Sequence, residues 1–197
     1  MKTAISIASV VLLSACSQAP VATAPEKTAE KAPEKPAEQA ASPAAPAPKP
    51  SGRRAPSFAL PDSRLQSHDI LDARGHWLLL DFMKTDCPHC KELSKKLEGI
   101  KAKYGDKVDV WSIVIAPPEN QNTVAAYINE TKSTTPFLFD QGQVAVSYFR
   151  ATPQNPTFDT PHLFVIDPNG YIAREWNQSG LESAEFSSIL DQVLSQK

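Results

Sequence analysis

Two predominantly apolar runs, "WLLLDF" at 77–82 and "VDVWSIVI" at 108–115, constrain the fold of this chain most. Each has strand length and lacks the alternation of a strand with one wet face. Each therefore predicts a central strand covered on both sides. Between them, from Pro88 to about Tyr104, Leu93, Leu97 and Ile100 recur at helical spacing with lysines on the other face. Strand, helix and second buried strand predict a parallel crossover pair. Further on, the pattern predicts a helix at about 121–131, a short strand at 136–139 and a short helix at 143–149. "HLFVID" (162–167), "PNG" (168–170) and "YIAREW" (171–176) predict strand, turn and strand, with Asn169-Gly170 as a tight-hairpin signal. A last helix is expected from about Ser183 to Leu194, with Phe186, Ile189, Leu190 and Val193 on one face. "FALPD" and the following 15 residues predict a short hairpin at the sheet edge. The fold class is α/β, a mixed central sheet with helices on both faces.

The N-terminal quarter cannot join that core. "MKTAISIASVVLLSAC" has a basic start at Lys2 and an apolar run too short to span a membrane stably. Residues 1–15 read as a secretory signal. Leu13-Ser14-Ala15-Cys16 resembles the lipobox of bacterial lipoproteins. The resemblance implies cleavage before Cys16, multiple acylation of that cysteine and attachment to a membrane of the cell envelope. Ser17, by the same resemblance, directs the protein to the outer membrane. Residues 16–54 are dominated by Ala, Pro, Glu and Lys and hold no aromatic residue. Such a segment cannot offset its chain entropy by burial and is expected to be a disordered tether. The folded domain is then 55–197. A net charge of −2 leaves no electrostatic footprint for nucleic acid.

Cys87 and Cys90 in "CPHC" admit three readings: metal clamp, structural staple or redox centre. A disulfide across two intervening residues constrains little of the unfolded chain. A tetrahedral metal site needs four ligands, and no second CxxC exists. A Cu(I)-binding chaperone using both sulfurs with His89 or His162 is the rival reading, since thiolates are soft ligands. In the redox reading, Cys87 lies where strand gives way to helix. Unpaired N–H groups and partial positive charge stabilise a thiolate there. Two residues later Cys90 returns alongside as the resolving thiol. Pro88 suits a first helical turn, and His89 is expected to bring positive charge or a hydrogen bond near the sulfur.

Leu80-Asp81-Phe82, then Cys87-Pro88-His89-Cys90, then Thr160-Pro161 before "HLFVIDPNG" resemble the thioredoxin superfamily, in particular its TlpA-like, membrane-tethered bacterial members. The resemblance implies a thioredoxin-like fold and a periplasm-facing protein-disulfide oxidoreductase with no cofactor and no metal. Its partners would be proteins carrying disulfides or dithiols, and a redox partner that regenerates the Cys87–Cys90 pair. By the same resemblance Asp81 is buried beneath the pair and moves protons for Cys90. Pro161 is cis and faces the disulfide, and Thr160 offers its backbone to the substrate main chain. Peroxiredoxins share the fold, but their Thr and Pro spacing ahead of the cysteine is absent.

The chain also departs from the family. Asp86 stands where Trp is frequent, and the loop at 150–159 is longer than usual and expected to border the active site. The Pro-His dipeptide matches the oxidase DsbA, whereas TlpA-like relatives are mostly reductases. A reductase-type activity is the favoured reading and a DsbA-like oxidase its alternative. Glu119 reads as a solvated acid at a helix start, although some TlpA-like reductases carry an active-site glutamate near there. His68 and His76 read as surface residues, and His162 as a strand residue turned inward.

Overall fold

A computed structural model of the chain describes residues 52–196. The expected signal, Cys16 and nearly all of the 16–54 tether lie outside the described residues. The order of elements is β1 (Ala59–Pro61), β2 (Ser67–Asp69), a 3-10 turn (Ile70–Ala73), β3 (Trp77–Phe82), α1 (Pro88–Tyr104), β4 (Val108–Ile115), α2 (Gln121–Thr131), β5 (Phe137–Asp140), α3 (Gln143–Phe149), β6 (His162–Ile166), β7 (Ile172–Trp176), α4 (Gln178–Glu182) and α5 (Phe186–Leu194). The two apolar runs form β3 and β4 over the residues the pattern predicts.

The main sheet has the order β5-β4-β3-β6-β7. β3 and β4, and β4 and β5, pair in parallel through their crossover helices. β6 runs antiparallel to both β3 and β7. Five strands of both senses, with helices on each face, give the mixed sheet expected of a thioredoxin-like fold.

The pleat sorts β3 into two faces. Leu78, Leu80 and Phe82 join Ile113, Leu138, Tyr148 and Phe164 in one buried cluster, beneath α3 and the N-terminal segment. Leu79 turns to the other face, with Leu93 and Leu97 of α1, Leu163 of β6 and Phe186 and Leu190 of α5. Asp81 follows Leu79 on that second face, the face covered by α1.

α1 owes its ends to local chemistry. Cys87 caps the N-terminus with its sulfur and Pro88 takes the first turn. Lys101 and Lys103 lie in the last turn, where cations favour the helix dipole, and Gly105 terminates it at φ +56. α2 begins with a reciprocal capping box between Asn120 and Thr123.

Three details differ from the sequence expectation. The β1–β2 hairpin lies at the sheet edge as expected but forms a separate two-stranded sheet, joined to the edge strand β5 by the Asp62–Leu138 bridge and by Ser63 N donating to the Phe137 carbonyl at 3.0 Å. The β6–β7 turn is not a two-residue Asn169-Gly170 hairpin. Asp167 N donates to the Tyr171 carbonyl, so Pro168, Asn169 and Gly170 form a three-residue loop. The Asp167 carboxylate accepts from Asn169 N and Tyr171 N, and Gly170 supplies the left-handed residue at φ +81. Finally, α4 precedes the expected last helix, and α5 starts at Phe186. Asn177 caps α4 by accepting from Gly180 N. No helix among the described residues is long and apolar enough to cross a membrane.

Candidate active site

β3 ends at Phe82, and Met83 to Asp86 carry the chain to the mouth of α1. Cys87 is partly buried there, while Cys90 is fully buried one turn on; both are unbridged thiols. The Cys90 N–H donates to the Cys87 sulfur at 3.2 Å. One of the unpaired amides of the helix start is thereby aimed at the exposed sulfur. Cys90 packs among Met83, Val114, Val124, Tyr127 and Phe137. Burial pushes its thiol far up, and so do the Cys87 hydrogen bond and the Asp81 charge. The two sulfurs are therefore inequivalent: one reaches partners, the other is held protonated behind it. Tyr127 Oη donates to the Cys90 carbonyl at 3.1 Å and ties α2 to this turn.

Asp81 is 1% exposed, and its Oδ1 has no hydrogen-bond partner. Burial raises its carboxyl from 3.8 to about 8. Its neighbours across the sheet are Ser112 and Leu163. The charge it would carry bears on Cys90, which places it within electrostatic reach of that thiol.

The Thr160–Pro161 peptide bond is cis, and Pro161 is buried at the entry to β6. Pro161 and His89 line one groove of ≈ 280 Å³, together with Glu92, Leu93, Lys96, Gln178, Leu181 and Glu182. Thr160 and Asp159 line its polar continuation against α4. Pro88 is exposed at the start of α1. A larger cavity of ≈ 600 Å³, with Arg53, His162 and Phe164 in its wall, lies on the other face of the sheet, away from the sulfurs.

His89 does not turn to the sulfur. Its Nδ1 lies 2.8 Å from Glu182 Oε1, both side chains being about half exposed (54% and 52%). In place of the expected contact with the Cys87 sulfur, this ring makes a polar contact with α4. His162 is also informative. It stacks on Phe164 (4.7 Å, 28°) and meets Phe149 edge-on, on the face of Phe82. Its ring nitrogen cannot complete a copper site with two sulfurs on the opposite face. Burial also lowers the pKa of His162.

Glu119 overturns its sequence reading. It is 7% exposed and accepts from Thr85 N (2.8 Å), Thr85 Oγ1 (2.8 Å) and Thr123 Oγ1 (2.6 Å). A carboxylate at the start of α2 therefore clasps the loop two residues ahead of Cys87. The Asn120–Thr123 pair marks the helix start in the sequence, but no local pattern shows that the residue before it turns inward. His68 likewise is no plain surface residue: it bonds Asp62 at 3.1 Å and meets the Trp111 ring. Asp86 is exposed, and Lys91 is taken up by Glu130 at 2.8 Å. The 150–159 loop reaches the site only at its end. Phe158 stacks on Phe149 on the far face, and Asp159 arrives beside Thr160 in the groove.

Comparison with known proteins agrees with this geometry. The AhpC/TSA family profile matches residues 51–175. The thioredoxin-like protein YneN of Bacillus subtilis (strain 168) is 25% identical over 122 residues, covering 61% of this chain and 68% of its own. The thiol-disulfide oxidoreductase ResA of Bacillus anthracis is 24% identical over 124 residues, covering 63% and 68%. Among solved structures, the thioredoxin domain of a thiol-disulfide oxidoreductase from Bacteroides vulgatus superposes with a TM-score of 0.61 at 19% identity, over 73% of this chain and 97% of that one. BsSco, a member of the Sco family of cytochrome c oxidase assembly proteins with a disulfide switch, gives 0.60 at 15% identity, over 76% and 98%. A paired-thiol helix mouth over a buried acid, in a thioredoxin-like sheet, together with the matched profile, places this chain in the AhpC/TSA family.

Proposed function

We propose that the chain is a reductase-type thiol–disulfide oxidoreductase acting on protein disulfides. The Cys87 thiolate attacks one sulfur of a partner's disulfide, and the other partner sulfur leaves as a thiolate. A Cys87–partner mixed disulfide results. Cys90 gives up its proton to Asp81, and its sulfur attacks that of Cys87. The second partner sulfur leaves, so the partner has gained two electrons as a dithiol and Cys87–Cys90 is a disulfide. The departing thiolates take protons from solvent. A further dithiol protein returns two electrons to the pair. With its carboxyl raised to about 8, Asp81 exchanges protons near neutral pH. Pro88 sets the helix start, and Pro161 and the Thr160 backbone hold the partner in an extended pose.

The observation that carries this reading is the inequivalence of the sulfurs: Cys87 reachable at the cap of α1, Cys90 buried behind it. Two features favour electron donation over DsbA-like oxidation. The His89 ring is held by Glu182, which removes a group that would stabilise a reduced thiolate. The unpaired acid near Cys90 also disfavours negative charge on the dithiol, whereas the disulfide is neutral.

The test is turnover of insulin disulfides with dithiothreitol as electron source. Cys87→Ser is expected to abolish it, and Cys90→Ser to accumulate the mixed disulfide. Unchanged turnover in either variant, or peroxide consumption without disulfide exchange, would refute the assignment. In the same reading, residues 1–15 are removed and acylated Cys16 anchors the domain at the bacterial envelope through the 16–54 tether, facing the periplasm. Cys16→Ser should move the protein from the membrane fraction to the soluble one.

A further inference from the structure

We propose that the groove beside the dithiol selects partner segments that carry a lysine or arginine next to the reacting cysteine. This rests on the exchange reaction above and names its substrate class. The groove runs from His89 past Pro161 to α4, and its polar continuation reaches Asp159 and Thr160. An extended segment lying along Pro161 has one wall from α1 and the other from α4. Leu93, Leu181 and Pro161 supply an apolar floor that takes any aliphatic stem. The charges around that floor are unbalanced.

Three carboxylates, Glu92, Asp159 and Glu182, line the two parts, against one ammonium, Lys96. Lys96 is held on the α1 wall: it donates to the Leu181 carbonyl at 3.1 Å and lies over the Phe186 ring, both neutral groups, so its charge offsets one of the three carboxylates. Glu92 is matched by Lys95 at 3.1 Å on its own helix. Glu182 takes His89 and the Gln178 amide on the same oxygen, Oε1. No partner of its Oε2 is found among the described residues, nor any ion pair for the exposed Asp159. Asp86, exposed just before Cys87, and Lys84, exposed two residues earlier, offset one another at the rim.

The field at the groove is therefore negative at the two ends of α4's wall. A cationic side chain beside the partner's cysteine is drawn in with its stem on Leu181 and its charge between Asp159 and Glu182. An acidic one is repelled.

The experiment uses the reduced protein and two peptides, identical except for Lys or Glu next to a single cysteine. That cysteine is disulfide-bonded to 2-nitro-5-thiobenzoate. Attack of Cys87 on the peptide sulfur releases the coloured thiolate, which gives the second-order rate constant by stopped flow. The Lys peptide is expected to react roughly tenfold faster at low salt, with the ratio collapsing at high salt as the charges are screened. Asp159→Asn and Glu182→Gln, each nearly isosteric, should each lower the ratio, and the pair together should bring it near one. A ratio within twofold at low salt, or one unchanged in both variants, overturns the proposal while leaving the exchange reaction standing. Failure of both peptides to react overturns the exchange reaction itself.

Discussion

Replacing the buried acid, Asp81→Asn, isolates what burial of a carboxyl costs this fold. In the folded chain the carboxyl is raised from 3.8 to about 8 by desolvation alone. A raised acid holds its proton in the folded state over a pH range in which the unfolded state has lost it. Folding then binds a proton, and stability falls as pH rises between the two values. Below about pH 4 both states are protonated and the penalty vanishes. Above about pH 8 both are ionised and the penalty is complete. A tenfold change in proton affinity is worth about 1.4 kcal/mol, so the loss between about pH 4 and about pH 9 is about 5 kcal/mol.

The asparagine side chain carries no charge at any pH, and every other titrating group is common to both proteins. Urea unfolding of the reduced wild type and variant, at a series of pH values, reads the difference directly. The variant should gain about 5 kcal/mol on the wild type from about pH 4 to about pH 9, whatever offset its amide brings. A difference flat with pH, or one that moves in the wild type's favour, would refute the placement of an unpaired, dry carboxyl at residue 81.

Other outcomes follow from the same geometry. Iodoacetamide should modify Cys87 in the native reduced protein and leave Cys90 until unfolding, since only Cys87 is reachable; equal rates in mass spectrometry would contradict this. Glu119→Ala strips two hydrogen bonds from Thr85 and one from Thr123 and should cost about 2–4 kcal/mol in urea unfolding while slowing insulin reduction, with Glu119→Gln recovering part of both. Glu182→Gln alters a half-exposed contact with His89 and should change stability by less than about 1 kcal/mol, while altering the charge selectivity of the groove. Phe82→Ala empties a site ringed by Tyr148, Phe149 and Phe164 and should cost about 3–5 kcal/mol in thermal or urea unfolding.

What could be read from the chain was whatever is written locally. β3, β4 and α1 were legible because a predominantly apolar run and a helical stripe need no distant partner to be recognised. The cap role of Cys87 follows from Pro88 and the strand before it, and Asp81 announces its burial by sitting between Leu80 and Phe82. Glu119 was misread because its burial comes from Thr85, which reaches it only when α2 docks against the loop before α1. His89 was misread for a similar reason: Glu182 lies on α4, a five-residue helix with Gly180 inside it and too little periodicity to predict. The 150–159 loop carries Phe158, whose stacking on Phe149 draws most of it to the far face, and no local pattern marks that choice.

The claim at the centre is reversible two-electron exchange between Cys87 and Cys90, poised to donate. Equilibrating the protein in dithiothreitol buffers of graded potential, and counting free thiols at each, tests it most directly. A single two-electron transition near the potential of thioredoxin, about −270 mV, is predicted. A midpoint near that of DsbA, about −120 mV, or thiols that never pair, would contradict it.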